Sequence, residues 1–315
     1  MTGRAARPAF LRPSSLVPVI VTGTTAAGGG STKPRPDPID PTPTRFIPCG
    51  PIAVHATLNV RATPRITNKG KGKMQSGIIY RGPSLLNGKP IVVVASYSER
   101  NRKTGGMVQT YILSDEQDPV TASRMGTDAS ICGDCPLRGI ANPAKPKGQA
   151  DKRACYVTLI HGPASTYRAL QRGVYPNATD TEAQTAIGFG RSVRIGTYGD
   201  PAAVPMHVWE GLTMRAKGWT AYTHQFKSNP DALAYAMASV ESLDAARHVW
   251  NQDGRTFRLV RSVAEIDLSR EVICPASAEG GKRTTCAACM LCSGLATKSP
   301  KSVAIVAHGM GKAYV

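Results

Sequence analysis

Residues 192–224 read SVRIGTYGDPAAVPMHVWEGLTMRAKGWTAYTH, and they decide the fold class. The apolar runs at 192–198 and 219–224 are bounded by turn residues and predict two strands. Between them, residues 205–217 predict a helix that ends before Gly218. A strand, a helix and a strand in this order form the repeating unit of a parallel sheet. The stretch therefore predicts an α/β fold.

The same alternation extends through the second half of the chain. Further strands are predicted at 154–160, 235–240, 256–260, 271–274 and 302–307, and further helices at 163–172 and 243–250. Ahead of them, the runs at 91–96 and 107–113 predict a hairpin, which 54–60 and 77–80 extend into a small antiparallel sheet. No GxGxxG or GxxxxGK[ST] motif supports an open doubly wound sheet. We therefore expect a TIM-barrel-like parallel barrel with an N-terminal β-hairpin region.

The positive charge of the chain is concentrated near its start. Lys and Arg number 39 against 21 Asp and Glu, a net charge of +18 over 315 residues. Residues 1–75 hold eleven of these cations and two of the acids, which is about half of the excess. We predict a disordered basic Pro/Gly-rich arm at 1–47, a β-rich part at 48–120 and a cysteine-rich barrel at 121–315. The arm either contacts nucleic-acid phosphates or only keeps the protein in solution.

Composition excludes several protein classes. Hydrophobic residues make up 41% and charged residues 19% of the chain, which excludes a wholly disordered protein. No run of 18 apolar residues is present, so no membrane partner is expected. The apolar run at 15–21 is short and contains Pro18, so it does not indicate secretion, and we expect a cytoplasmic protein. Neither the composition nor the distribution of apolar residues indicates an oligomeric state.

Seven of the eight cysteines fall into two groups, and Cys49 is left over. The first cysteine group is Cys132, Cys135 and Cys155, and the second cysteine group is Cys274, Cys286, Cys289 and Cys292. CxxC spacing lets two thiolates reach one ion, so both groups indicate metal rather than disulfides. Zinc would take four ligands from the second group and His308 in a structural site. The first group is a possible second metal site, and an iron–sulfur cluster there would keep one iron open.

Polar residues stand where nearly every predicted strand ends. They are Asp200, His224 with Gln225, Ser239 with Glu241, Arg261 with Ser262, Cys274, and His308. In a TIM-like barrel the residues just past the strands form the active face. Each of them alone could equally be a hydrogen-bonded rim residue. Together they indicate a functional surface.

Several motifs resemble those of a family of proteins encoded by tailed bacteriophages and prophages. The segments that carry the likeness are CGDCPLRG with CYV, RIGTYGDPAAVP, YTHQF, MASVES, RTFRLV and CPASAEGGKRTTCAACMLCSG, within roughly residues 125–310. This resemblance places the protein in the cytoplasm of a bacterial host and implies no activity.

A second likeness does imply an activity. Cys286-x2-Cys289-x2-Cys292, followed by His308, is similar to the zinc motif of tRNA-guanine transglycosylases and of phage enzymes that put 7-deazaguanine bases into DNA, although that family has CxCxxC. It implies base exchange, in which an aspartate attacks C1′ of a guanosine. Asp200 is then the candidate nucleophile, with Asp134 and Glu241 as acid–base candidates. Tyr198, His224, Gln225 and Arg261 are candidates for binding the flipped base.

Two other functions stay open from the sequence. One is an iron–sulfur enzyme resembling radical S-adenosylmethionine barrels, built on the first cysteine group. The other is a zinc-stabilised nucleic-acid-binding protein without catalysis, in which the strand-end residues are structural. Each of the three functions involves nucleic acid or a metal. DNA is the favoured substrate of the base-exchange enzyme.

Overall fold

The computed structural model describes residues 74–99, 101–295 and 299–315. They belong to one compact unit, Ile66–Val315. The predicted basic arm, the predicted strand at 54–60 and Cys49 lie outside the described residues.

The first sheet has five strands in chain order. They are β1 (Ser76–Pro83), β2 (Pro90–Ser98), β3 (Met107–Ser114), β4 (Ser192–Tyr198) and β5 (Gly218–Thr220). β2 pairs antiparallel with both β1 and β3, which confirms the predicted hairpin region. β3 pairs parallel with β4, and β4 with β5, so the hairpin region and the later part of the chain share one sheet.

The second sheet is parallel throughout. Its strands are β6 (Tyr222–Thr223), β7 (Met237–Val240), β8 (Thr256–Val260), β9 (Glu271–Ile273) and β10 (Ser302–Val306). The spatial order is β6-β7-β8-β10-β9, so β10 lies between β8 and β9. Only Ala221 separates β5 from β6. Its N–H donates to the Cys292 carbonyl at 2.7 Å and its carbonyl accepts from Met237 at 3.0 Å.

A mixed α/β fold with parallel strands is therefore confirmed. Within the described part of the chain, the pairings form two five-stranded sheets, with edge strands β1 and β5 in the first and β6 and β9 in the second, and they do not close into a ring. A closed TIM barrel is not confirmed. The single strand predicted at 219–224 is divided between the two sheets at Ala221.

Seven α-helices connect the described strands. They are α1 (Pro119–Met125), α2 (Ala129–Cys132), α3 (Gly162–Gln171), α4 (Thr181–Gly188), α5 (Met206–Thr213), α6 (Leu243–Trp250) and α7 (Cys286–Cys289). The helices predicted at 163–172, 205–217 and 243–250 are confirmed, although α5 ends four residues early. Ser242 caps α6 as expected, with its side chain accepting from the Ala245 N–H. α1 and α4 were not predicted.

The predicted strand at 154–160 is wrong. This segment is irregular because its polar backbone groups bond outside any sheet. The guanidinium of Arg153 donates to the carbonyls of Cys155 and Val157 at 3.0 and 2.8 Å. The Cys155 N–H donates to the Leu137 carbonyl at 2.9 Å. Hydrogen bonds to the Arg153 side chain here take the place of the backbone hydrogen bonds that a strand would make with its neighbour.

Each sheet has its own apolar core. The first core holds the fully buried run Ile91–Ala95 of β2 together with Val193, Ile195, Trp209 and Leu212. The second core combines Met237, Phe257, Leu259, Val303 and Ile305 with two buried cysteines, Cys274 and Cys292. Two of the four cysteines of the second group are thus buried in the second core, and Cys286 packs against it.

Candidate functional site, two cysteine-lined cavities

A first cavity of about 80 Å³ lies at the carboxyl ends of β4, β6 and β7. Its walls include Cys132, Cys135, Cys155, Tyr156, Tyr198, Asp200, Tyr222, His224 and Ser239. The structure therefore brings the first cysteine group together with three of the predicted strand-end positions. Neither their spacing nor their order in the sequence showed that they share one cavity.

Asp200 lines this cavity with only 6% of its surface exposed. Its Oδ1 accepts from Ala202 N–H at 3.0 Å and from the Thr223 hydroxyl at 2.7 Å. Its Oδ2 accepts from His224 N–H at 2.8 Å. Burial raises the pKa of the Asp200 carboxyl, and these three hydrogen bonds offset part of that effect. The carboxylate joins the end of β4 to the end of β6.

His224 sits between an acid and a thiol. Its Nε2 lies 2.6 Å from Oε1 of Glu241, and its side chain also hydrogen-bonds to Cys135. Burial lowers the pKa of His224, but the hydrogen bonds to Cys135 and Glu241 outweigh burial and leave the pKa well above its usual value. Nε2 of His224 therefore has an acidic partner, and the Cys135 thiol is a second neighbour of the side chain.

The loop that carries Cys132 and Cys135 is fastened by side chains from elsewhere. Nε2 of Gln225 donates to the Cys132 carbonyl at 3.1 Å. Arg138 donates to the Gly133 carbonyl at 2.6 Å and pairs with the buried Asp128 at 2.5 Å. Gly133 has φ of +58°, and a Cβ there would overlap the Gln225 side chain. Gln225, which the sequence predicted to bind a base, holds this loop through its Nε2.

Two polar groups of the first cavity are unusually isolated from water. Burial, together with Asp128 and the other two thiols of its group, raises the pKa of Cys132 well above its usual value. Tyr198 is 3% exposed, and among the described residues its hydroxyl has no hydrogen-bond partner. A buried hydroxyl without a partner costs roughly 1–3 kcal/mol, which indicates a missing group in the cavity.

Four predicted site residues do not line this cavity: Asp134, Glu241, Gln225 and Arg261. Glu241 is exposed and contacts Nε2 of His224, and Gln225 is hydrogen-bonded to the Cys132 carbonyl. Asp134 is exposed and lines neither of the cavities described here. Arg261 is also exposed, and its Nε donates to the Val315 carbonyl at 2.8 Å. Neither residue joins Asp200 and His224 in the first cavity.

A second cavity of about 30 Å³ lies beside the first, and Tyr156 and Tyr222 line both. Its other walls include Lys103, Arg194, Phe257, Cys274, Cys286, Ile305 and His308. Burial raises the pKa of Cys292 to about 12, while a hydrogen bond with Tyr222 acts in the opposite direction. His308 lies 3.2 Å from Nζ of Lys103, and burial and that lysine lower its pKa.

Arg194 brings a buried positive charge to the second cavity. Among the described residues its buried Nε has no hydrogen-bond partner. Its guanidinium lies 5.9 Å from the ring centre of Tyr222. Burial lowers the pKa of Arg194, but the neighbouring Tyr156, Tyr222, Cys286 and Cys292 more than reverse that effect. The groups that act in favour of its charge are tyrosines and thiols.

The loop of the second cysteine group is also held from several elements. Arg255 donates to the carbonyls of Leu291, Gly294 and Lys301 at 2.7–3.1 Å. Ser192 of β4 donates to the Ala287 carbonyl at 3.1 Å. Met290 has φ of +54°, which turns the chain between Cys289 and Cys292. These contacts fix the backbone, and none of them uses a thiol of the group.

The seven cysteines in the described part of the chain are free thiols. Among residues 74–99, 101–295 and 299–315, no three His, Cys, Asp or Glu side chains are already gathered around one point as metal ligands. The zinc and iron–sulfur predictions therefore stay predictions. Within the same residues, no helix is long and apolar enough to cross a membrane.

Comparison with protein-family models, with curated proteins and with solved structures finds no match. The function is therefore inferred from the two cavities. Sequence reasoning missed four arginines that hold or face the cysteine loops: Arg138, Arg153, Arg194 and Arg255. Arg138 and Arg153 had one signal, since they lie three residues after and two residues before a cysteine. Arg194 and Arg255 had no such signal.

Proposed function

We propose that this protein is a base-exchange enzyme that replaces guanine in DNA with a 7-deazaguanine, and that Asp200 in the first cavity is its nucleophile. The observation that supports this best is the position of a carboxylate, aromatic rings and a histidine around one cavity at the carboxyl ends of parallel strands, with Glu241 hydrogen-bonded to that histidine. Catalytic groups of parallel α/β folds gather at that edge.

The proposed reaction has two steps through one covalent intermediate. An oxygen of Asp200 attacks C1′ of the guanosine, and the bond from C1′ to N9 of guanine breaks with its electron pair on the base, which takes up a proton. The incoming 7-deazaguanine then attacks C1′ through N9 and loses its proton. The C1′–oxygen bond breaks, and the carboxylate is restored. No oxidant or reductant is needed.

The structure changes the roles given to other residues in this proposal. Oδ2 of Asp200 accepts one hydrogen bond, so it keeps a lone pair for attack. The ring of Tyr198 lines the cavity and supplies a face on which a flipped base stacks. His224 is not assigned to the base, because its Nε2 is already taken by Glu241 and the Cys135 thiol is also its neighbour.

Two further parts belong to the proposal. The second cysteine group binds a structural zinc ion, supported by Cys274 and Cys292 in the second core and by Arg194 beside Cys286 and Cys292. Four thiolates and one Zn²⁺ carry a net charge of about −2, and a buried arginine offsets part of it. The excess of Lys and Arg binds the DNA backbone.

Substitution of Asp200 tests the reaction. The full chain is incubated with guanine-containing DNA and a 7-deazaguanine base, and the digested nucleosides are quantified by mass spectrometry. Asp200→Asn keeps the size of the side chain and should lower product formation by about 10³-fold or more, as loss of a nucleophile does in other enzymes.

Thr223→Val is the matched control. It removes a 2.7 Å hydrogen bond to Asp200 but keeps the carboxylate, so it tests the effect of a loosened loop alone. We expect Thr223→Val to be at least about ten times more active than Asp200→Asn. Equal activities of the two variants, or product formed by Asp200→Asn at the wild-type rate, would remove Asp200 as the nucleophile.

One observation favours a second function. The Asp200 carboxylate accepts three internal hydrogen bonds, as a structural aspartate does. The alternative is a metal-stabilised nucleic-acid-binding protein without catalysis. In that case no 7-deazaguanine enters DNA with the wild-type protein, while DNA binding persists and Asp200→Asn only lowers the unfolding temperature.

A further inference from the structure

We propose that Cys132, Cys135, Cys155 and His224 together bind one zinc ion, in a Cys3His site that is separate from the second cysteine group. The three thiols alone would leave a coordination position open, whereas His224 completes a tetrahedron. This site does not depend on the base-exchange reaction, since it would serve a binding protein equally well.

The four side chains come from three separate parts of the chain and meet at one cavity. Cys132 ends α2, Cys135 follows in the same loop, Cys155 lies in the irregular segment after it, and His224 follows β6. The cavity encloses about 80 Å³. One water molecule needs about 10–15 Å³ on such a measure, so the cavity has room for an ion.

His224 is paired with a carboxylate, as metal-binding histidines commonly are. Its Nε2 is taken by Glu241 at 2.6 Å, so Nδ1 is the nitrogen that would bind the ion. Histidines that bind a metal generally donate their other ring N–H to a carboxylate or carbonyl, which fixes the ring. Glu241 provides that carboxylate and is therefore a positioning residue.

The backbone around the ligands is held in place without the ion. Gln225 binds the Cys132 carbonyl, Arg138 binds the Gly133 carbonyl, and Arg153 binds the Cys155 carbonyl, with distances of 2.6–3.1 Å. A site whose loops are fixed in advance loses less conformational entropy when the ion binds. Only the ligand side chains need to move, and a cysteine side chain turns about a single torsion.

An ion at this position would explain two features of the first cavity: the hydroxyl of Tyr198 and the positive charge of Arg153 near the thiols. The hydroxyl of Tyr198 has no partner among the described residues, and it lies close enough to Cys132 for the two to interact electrostatically. A metal-bound thiolate accepts hydrogen bonds, so it would satisfy this hydroxyl. Three thiolates, one neutral imidazole and Zn²⁺ carry a net charge of about −1, which the nearby Arg153 offsets.

Metal analysis of the full chain tests the proposal. The protein is purified under anaerobic conditions, and zinc and iron per chain are measured by mass spectrometry together with the absorption spectrum. Cys155→Ser and His224→Ala should each lose about one zinc per chain relative to wild type, with no visible absorption in any sample. Cys49 lies outside both cysteine groups, so Cys49→Ser should lose none.

Two more variants separate metal binding from folding. His224→Cys restores a fourth ligand, so it should keep the zinc that His224→Ala loses. Glu241→Gln should keep the ion but bind it about 10–100-fold more weakly in competition with a chelating dye. Neither readout needs a DNA substrate, so failure of this site and failure of the base-exchange reaction are distinguishable.

Three outcomes would overturn the site. Wild-type zinc content in both Cys155→Ser and His224→Ala would show that these residues hold no ion. A brown wild-type protein whose iron is lost in Cys155→Ser would show that the site holds an iron–sulfur cluster and not zinc. Equal metal content in His224→Cys and His224→Ala would remove His224 as a ligand.

Discussion

Arginine side chains reach into the interior of this protein and bind backbone carbonyls there. Arg153 and Arg255 are each 6% exposed, and both donate to carbonyls of the cysteine loops. Arg258 is 2% exposed and pairs with Glu271 across the second sheet. Charged residues are seldom fully buried unless they are paired, so sequence patterns alone do not predict these arginines inside.

The buried pair between Arg258 and Glu271 should dominate local stability. Glu271 accepts from Nε and Nη2 of Arg258 at 2.8 and 2.5 Å, and its side chain is wholly buried. We predict that Glu271→Gln lowers the free energy of unfolding by about 3–5 kcal/mol, because it leaves the Arg258 charge unpaired. Denaturant unfolding of the two proteins measures the difference.

Asp115→Asn is the control for that change. Asp115 lies 3.5 Å from Arg81, whose side chain is half exposed, so the same acid-to-amide substitution should cost less than about 1 kcal/mol. A similar destabilisation in both variants would mean that the buried pair contributes no more than a surface pair.

At the scale of single elements, the caps of the helices follow their sequence signals. The Ser242 hydroxyl accepts from Ala245 N–H at 3.1 Å at the start of α6. We predict that Ser242→Ala lowers the free energy of unfolding by roughly 0.5–2 kcal/mol, because one backbone N–H of the first turn is left without its partner. Thermal unfolding followed by circular dichroism checks this.

Ser262 offers the matched comparison. It precedes a 3₁₀ helix at Val263–Glu265, and its side chain makes no capping bond. Ser262→Ala should therefore change stability by less than about 0.5 kcal/mol. A larger destabilisation at Ser262 than at Ser242 would contradict the capping explanation.

Apolar periodicity predicted most of the regular elements. The β-branched runs of β2, β3, β4, β8 and β10 are buried, so packing and propensity agree. At 154–160 they disagree, because Arg153 takes the carbonyls that a neighbouring strand would need. The helices α1 and α4 were missed, although α4 has eight residues like the predicted helix α6.

The site was predictable in kind but not in arrangement. The spacing of Cys132 and Cys135 shows that they can bind one metal ion. Only the fold places them beside His224, which lies far later in the chain. Asp134 lies between the same two cysteines and still does not line the cavity. Contacts between distant segments depend on sheet order, which a single sequence does not specify.

For the whole molecule, the uneven charge leads to a prediction about DNA binding. Five cations of the arm are changed to Gln in the full chain: Arg4, Arg7, Arg12, Lys33 and Arg35. If the arm binds phosphates, the steepness of log affinity against log salt should fall by about 0.9 for each phosphate that the variant no longer neutralises. Fluorescence anisotropy with a labelled duplex at several salt concentrations measures the slope.

Neutralising five exposed cations of the folded part is the control: Lys89, Arg102, Lys147, Arg172 and Lys282. These changes should leave the slope closer to wild type than the arm changes do. If the folded-part variant shows the larger decrease in slope, the phosphates bind the folded part, and the arm only keeps the protein in solution.

The position of β10 also sets the order in which this protein can be completed during synthesis. β9 pairs with β10 alone among the described strands, although β8 is made before either. Until Ser302–Val306 has left the ribosome, β9 has no strand to pair with. Glu271 of β9 is therefore not yet held in the sheet in which it pairs with Arg258. The loop with Cys286, Cys289 and Cys292 lies between these two strands, so the zinc site proposed for the second cysteine group would be assembled last.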